Sequence, residues 1–273
     1  MDEKKTNSNH LPRLAAFFAL AFAFSWTLWV PSAVSGEDVN TFPWIIAYTL
    51  SGFGPSLAGI LMTYLEKSPK GQRQFWKRAI DFKRISAGWY VFIILIFPFL
   101  FGLGFLTNFL LINSVPRLET FTQLLSNPAN LIIVFIAGLF TGPIAEELGW
   151  RGYALDKLQK RISPLASSIL LGFIWWAWHI PLFFMRGTRQ YNIGFLSLES
   201  LAFFLGAISL SVMFTWIYNQ NNRSILAAIL LHFAYNFTIN MVFPFTQNLI
   251  ILHQVLLAVT AALIVLFSNK KSI

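Results

Sequence analysis

Two adjacent carboxylates and an arginine one helical turn later, Glu146, Glu147 and Arg151 in the stretch IAEELGWRGY, stand inside a sequence that otherwise reads as lipid-facing helix. An ionisable side chain near the middle of a membrane helix costs roughly 2.5–3.5 kcal/mol on insertion scales, so such a group is tolerated where it faces protein or water. Glu147 and Arg151 have the i, i+4 spacing at which helical side chains pair on one face, which predicts an ion pair that neutralises both charges and fixes the helix. Glu146 points about 100° away from Glu147. It is left as the reactive carboxylate.

Three further polar groups interrupt apolar runs. His179 lies in WWAWHIP, and His232 and Asn236 stand four apart in LHFAYN, a stripe that Asn240 extends by another turn. Taken singly, each fits an interhelical hydrogen bond as well as it fits chemistry. Taken together, a carboxylate, two histidines and an amide on three helices can run hydrolysis. The carboxylate acts as general base, a histidine orients the water, and donors stabilise the tetrahedral oxyanion. The same groups offer a second scheme, in which Glu146, His179 and His232 hold a divalent metal such as zinc with one position open for water. No HExxH is present, and the absence of cysteine removes thiol nucleophiles, disulfides and thiolate ligands. Glu199 and His253 fall near predicted helix ends, where headgroup water is expected to solvate them.

The elements that must position these groups are membrane helices. The 273 residues are 56% hydrophobic and 11% charged, with mean hydropathy +0.62, far from the roughly 25% charge of soluble domains. The sequence predicts an all-α polytopic membrane protein, read as a single integral membrane domain over residues 1–273. Eight apolar runs are long enough to cross a core that takes about 20 helical residues. They span Leu14–Val34, Thr41–Leu65, Ser86–Ile112, Leu131–Gly149, Pro164–Met185, Leu196–Tyr218, Ile225–Phe243 and Leu249–Phe267. The first is longer than a signal-peptide core and is expected to remain uncleaved.

The formal charge of +9 does not imply nucleic acid, because the basic residues sit in short segments between apolar runs. Seventeen of the 20 lysines and arginines fall in alternate segments: the N-terminal tail, residues 67–84, 151–161, Arg223 and the C-terminal tail. Arg117, Arg186 and Arg189 occupy the others. The positive-inside rule then puts both termini in the cytoplasm. Residues 66–84 are expected to form a short interfacial helix around Phe75 and Trp76.

Local signals add detail. Gly138 and Gly142 in a GxxxG spacing, and the small residues of SGFGPSLAG from Ser51 to Gly59, predict close helix packing. Ser224 is the expected N-cap of the helix carrying His232, which puts that ring roughly 12 Å deep. A hairpin turning at Ser163-Pro164 would place Glu146 and His179 at one depth, each roughly 25 Å from the turn. On this reckoning the polar groups converge in the cytoplasmic half of the bundle.

At these residues the chain resembles the CPBP family, which includes the CAAX prenyl proteases and the bacteriocin-processing Abi proteins. The family motifs EExxxR, FxxxH and HxxxN are matched by Glu146, Glu147 and Arg151, by Trp175 through His179, and by His232 and Asn236. The resemblance covers about residues 40–245, and Trp175 replaces the family phenylalanine. It implies an intramembrane endopeptidase in which Glu146, helped by His179, activates water while His232 and Asn236 bind the oxyanion. Members are also described as metalloproteases. The implied substrate is a peptide or small membrane protein cut near the cytoplasmic face of a bacterial membrane, with bacteriocin immunity or peptide maturation as context by analogy.

Two other function classes fit parts of the pattern. A non-proteolytic scaffold or immunity protein would use the same cavity to bind a partner. A small transporter would use the buried glutamate and histidines as a proton relay, but neither an inverted repeat nor a matched pair of broken helices is present. The sequence is silent on oligomeric state.

Overall fold

The computed structural model describes residues 10–112, 119–242, 247–269 and 272–273. Lys4, Lys5, Arg117, Lys270, Lys271 and the end of the seventh run at Phe243 lie outside these. All eight apolar runs are helical. They are α1 (His10–Ser35), α2 (Trp44–Ser51) with α3 (Gly54–Glu66), α5 (Ala87–Ile112), α7 (Pro128–Leu139) with α8 (Ala145–Gly149) and α9 (Leu155–Leu158), α10 (Pro164–Trp178), α12 (Leu198–Gln220), α13 (Ile225–Phe237) and α14 (Gln247–Phe267). Among the described residues, three short α-helices lie between them: α4 (Pro69–Ile80), α6 (Glu119–Ser126) and α11 (Arg189–Ile193).

Among the described residues, six segments are long and apolar enough to cross a membrane unaided: Leu11–Ser35, Ala87–Leu111, Ala129–Leu158, Pro164–Phe184, Leu198–Gln220 and Leu249–Phe267. The second apolar run is a bent pair, α2 and α3 meeting at 45°, and the seventh is a shorter helix over Ile225–Asn240. The eight runs expected to cross thus comprise six long spans, one bent pair and one shorter helix. Gly52 and Phe53 separate α2 from α3, and Pro55 begins the new helix at a position where its missing N–H costs nothing.

The turns follow the sequence signals. Ser163 caps α10 through Ala166 N at 3.2 Å, with Pro164 behind it, and Ser224 caps α13 through Ala227 N at 3.2 Å. Ser68 caps α4 through Gly71 N. That helix is the expected basic surface segment, but its Phe75 is 1% exposed and packs under Gly152 rather than into lipid.

The basic segments are knitted together at one end of the bundle. Arg78 bridges Asp156 Oδ2 at 2.8 Å, donates to Gly152 O at 3.1 Å and to the Tyr218 hydroxyl. Arg223 meets the other oxygen of Asp156 at 2.7 Å, and Lys157 meets Glu66 Oε2 at 2.5 Å. Burial works against the charged Arg78 guanidinium, but Tyr218 and Asp156 outweigh it and hold its pKa above the ordinary value. At the other end, Val39 N donates to Arg186 O at 2.9 Å, joining the α1–α2 loop to the loop after α10.

Candidate active site

The fourth apolar run is broken immediately before the acidic pair. Thr141 (φ −88°, ψ 85°) and Gly142 (φ 122°, ψ −83°) leave helical geometry, and Pro143 follows. A residue before proline is pushed out of the α region, and a φ of 122° is one that a side chain resists. Just past the break, the Ile144 carbonyl accepts from the Ser56 hydroxyl at 2.7 Å. Gly138 and Gly142 are therefore not the helix-packing pair their spacing predicts. Gly138 rests against Phe233, whereas Gly142 lines a cavity.

Past the break, α8 places its two carboxylates in different surroundings. Glu147 and Arg151 are fully buried and joined at 3.0 Å. The guanidinium also lies 4.4 Å from the centre of the Phe214 ring, and its Nη2 reaches Ser211 Oγ at 3.5 Å. His232 Nδ1 contacts the same Glu147 oxygen at 2.8 Å. A carboxylate only accepts, so Nδ1 carries the proton and Nε2 is the nitrogen left for the cavity. Neither Glu147 nor Arg151 lines that cavity. They hold His232 and the helix from behind.

Glu146 turns the other way. Its Oε2 accepts from Trp175 Nε1 at 2.5 Å and from Trp150 Nε1 at 3.3 Å. Trp150 stands four residues after Glu146, the same offset that joins Glu147 to Arg151, and it is wedged edge-on against Phe17 and Trp178. These two indoles are the site residues that the sequence reading passed over. The i, i+4 offset was the available signal for Trp150, and the exchange of phenylalanine for Trp175 was the signal for the other.

His179 caps α10 and is partly exposed in the cavity. Its Nδ1 lies 2.7 Å from Trp175 O. A carbonyl only accepts, so this bond fixes the proton on Nδ1 and leaves Nε2 as an acceptor in the neutral ring.

The cavity has a volume of about 380 Å³. Glu146, His179, His232, Asn236 and Asn240 all line it, with Trp29, Tyr48, Trp175 and Trp178 as aromatic walls. The space beside Gly142 is the focus. A Cβ built there would sit 3.0 Å from Asn236 Nδ2, 3.8 Å from His232 Nε2 and 3.9 Å from Glu146 Oε1. The missing side chain thus leaves room for a small group at the meeting point of a carboxylate and two nitrogens.

The metal scheme does not fit this arrangement. Among the described residues no three histidine, aspartate or glutamate side chains form a group that could hold a metal ion. One Glu146 oxygen is taken by two indoles, while the bonds at Nδ1 leave Nε2 of each histidine open.

Two other expectations are corrected. Glu199 is 9% exposed and His253 3%, so neither is bathed in headgroup water. The His253 ring is stacked on Phe101 with centroids 4.0 Å apart. Glu146 stands twelve residues before Leu158, the end of its 30-residue span, and His179 fifteen past Pro164 in a span of 21 residues. The lining continues from there toward Ile45, Arg189 and Gln190, away from the basic end.

Comparison with known proteins agrees with the motif pattern. Residues 127–238, which include every cavity residue of α8, α10 and α13 discussed above, match the family model described as type II CAAX prenyl endopeptidase Rce1-like. Over 256 residues the chain is 28% identical to a Methanococcus maripaludis protein named CAAX prenyl protease 2, and the alignment covers 93% of each.

Proposed function

We propose that the chain, similar to CAAX-type membrane proteases over residues 127–238 and to a CAAX prenyl protease over 93% of its length, is an intramembrane endopeptidase in which Glu146 activates the attacking water. The family supports a protease acting on a peptide or protein in a membrane. The residue assignment rests on one observation, the meeting of Glu146 Oε1, His232 Nε2 and Asn236 Nδ2 around the space beside Gly142.

In this mechanism the free Glu146 oxygen takes a proton from water, while His179 Nε2 accepts the other hydrogen bond and aims the lone pair. The water oxygen bonds to the scissile carbonyl carbon, and the carbonyl oxygen becomes an oxyanion. Asn236 Nδ2 donates to it, and His232 Nε2 donates when its ring carries the second proton. Preorganised donors of this kind act strongly in a water-poor site. Collapse of the tetrahedral intermediate breaks the C–N bond, and Glu146 returns its proton to the leaving nitrogen. The buried Glu147 and Arg151 keep His232 oriented. No step uses a metal.

The substrate class follows from the walls. Trp29, Tyr48, Trp175 and Trp178 favour an apolar segment of a membrane-associated peptide or protein. The chain is proposed to act in a bacterial cell membrane. The test compares newly formed N-termini in membranes of cells expressing the wild type, Glu146→Gln and His232→Ala at matched levels. Termini present with the wild type and absent with both variants are expected. Identical termini in all three, with all three folded and the cleaved peptide supplied by the host proteome, would move the function to a non-proteolytic scaffold.

A further inference from the structure

The basic end of the bundle holds more positive charge than its own carboxylates can neutralise. Among the described residues the acidic side chains there are Glu66, Asp81 and Asp156, and each is already engaged. Glu66 meets Arg13 and Lys157, Asp81 meets Arg84, and Asp156 meets Arg78 and Arg223. Lys67, Lys70, Arg73, Lys77, Lys83 and Lys160 make no ion pair within this set, and all but Lys67 are exposed.

Two features make this surplus a binding site rather than a solvated face. The first is Lys67, the partly buried C-cap of α3, whose ammonium lies 5.5 Å from the centre of the Phe75 ring. Burial, and after it the Arg78 guanidinium, hold its pKa below that of an ordinary lysine; Lys157 and Lys160 add to the repulsion and only Asp156 opposes it. An anion seated there would offset both costs. The second feature is the surface around Lys67. Lys70, Arg73 and Lys77 share one exposed face of α4 by helical spacing, and that face runs on to Ile80, 70% exposed. Before Lys67 stand Tyr64 and Leu65, also exposed, and the Tyr64 hydroxyl accepts from Trp76 Nε1 at 3.1 Å.

Cations interleaved with tyrosine, tryptophan and aliphatic side chains suit the boundary between lipid headgroups and acyl chains. The segment also stands where spans end. It follows Glu66 and precedes Ala87, each the limit of a membrane-crossing segment, and Lys160 is two residues past Leu158, the limit of another. We infer that Lys67 and Lys160, flanked by Lys70, Arg73 and Lys77, bind the headgroup of an anionic phospholipid whose acyl chains pass along Tyr64 and Leu65.

The test titrates full-length protein in a non-ionic detergent with phosphatidylglycerol, phosphatidylcholine and glycerol 3-phosphate, counting bound lipid by native mass spectrometry. Phosphatidylglycerol is expected to bind at lower concentration than phosphatidylcholine and to resist displacement by glycerol 3-phosphate. One cation beside an anionic headgroup strengthens attachment by roughly fivefold, so Lys67→Gln with Lys160→Gln should cut the preference by about 25-fold. Lys70→Gln with Arg73→Gln and Lys77→Gln should cut it at least as far. Arg186→Gln, at an exposed cation of the other end, should leave it unchanged. Equal affinity for the two lipids would overturn the site, as would a preference unchanged in both multiple variants or lowered as much by Arg186→Gln. Displacement by glycerol 3-phosphate at matching concentration would replace the lipid with a soluble phosphate. The two multiple variants lie on different segments, so one that fails to fold leaves the other to decide. Binding is read without cleavage, and the outcome is therefore separate from that of the proteolytic reading.

Discussion

The two faces of α8 present opposite solutions to the cost of a buried carboxylate. On the sealed face Glu147 is enclosed by Arg151 and His232, with no exposed surface on either member of the ion pair. On the cavity face Glu146 has one oxygen held by two indole N–H groups and the other turned to open space. Neighbouring residues of one type thus divide between holding the structure and doing the chemistry. The difference comes only from the 100° that separates them around the helix.

Breaking the sealed face has the largest expected effect. Arg151→Ala strands Glu147 at a fully buried position, and removing one partner of a buried pair costs roughly 3–5 kcal/mol. Folded yield and thermal stability in detergent should both fall steeply. Adding Glu147→Gln to Arg151→Met, which removes both charges, should restore much of the yield. A single Arg151→Ala protein with unchanged melting would contradict the role given to the pair.

Filling the cavity face should spare the fold more than the activity. In Gly142→Ala the new methyl would stand 3.0 Å from Asn236 Nδ2, at a φ that disfavours any side chain. Such backbone strain costs on the order of 1–3 kcal/mol. The methyl also occupies the space assigned to the reacting group. Cleavage is expected to fall by roughly 10²-fold or more, the scale of losing an oxyanion donor. Retained cleavage at normal melting temperature would remove the reacting group from that space.

The smallest effect sharpens the comparison most. Trp175→Phe keeps a ring but deletes the indole donor to Glu146. A hydrogen bond to a charged group is worth roughly 1.5–3 kcal/mol, so kcat should drop by roughly 10- to 100-fold with KM little changed. A larger change in KM than in kcat would mean that Trp175 serves mainly as a wall of the cavity.

Much of the architecture was legible because it depends on local pattern. Apolar length marked every span, the serines before Pro164 and Ile225 marked two caps, and the offset of four between Glu147 and Arg151 marked the ion pair. What was hidden depends on contacts between distant elements. A GxxxG spacing looks the same in a continuous helix and beside a break, so Gly142 was read as packing. His232 and Glu147 are 85 residues apart, and no periodicity joins them. His253 was expected at a wet helix end because hydropathy does not show that Phe101 covers it.

One contact sets the terms on which this molecule can change. Where α3 crosses α8, a Cβ on Gly59 would lie 2.7 Å from Gly149 Cα, and one on Gly149 would lie 2.1 Å from Pro55 O. Main chain rests on main chain behind the acidic pair, leaving no side chain there to enlarge, shrink or reshape. The cavity lining on α1, α2, α10, α12 and α13 is mostly side chains. Diversification of what the cavity accepts is therefore free to proceed there, against a main-chain seam behind it that behaves as a fixed datum for the carboxylate.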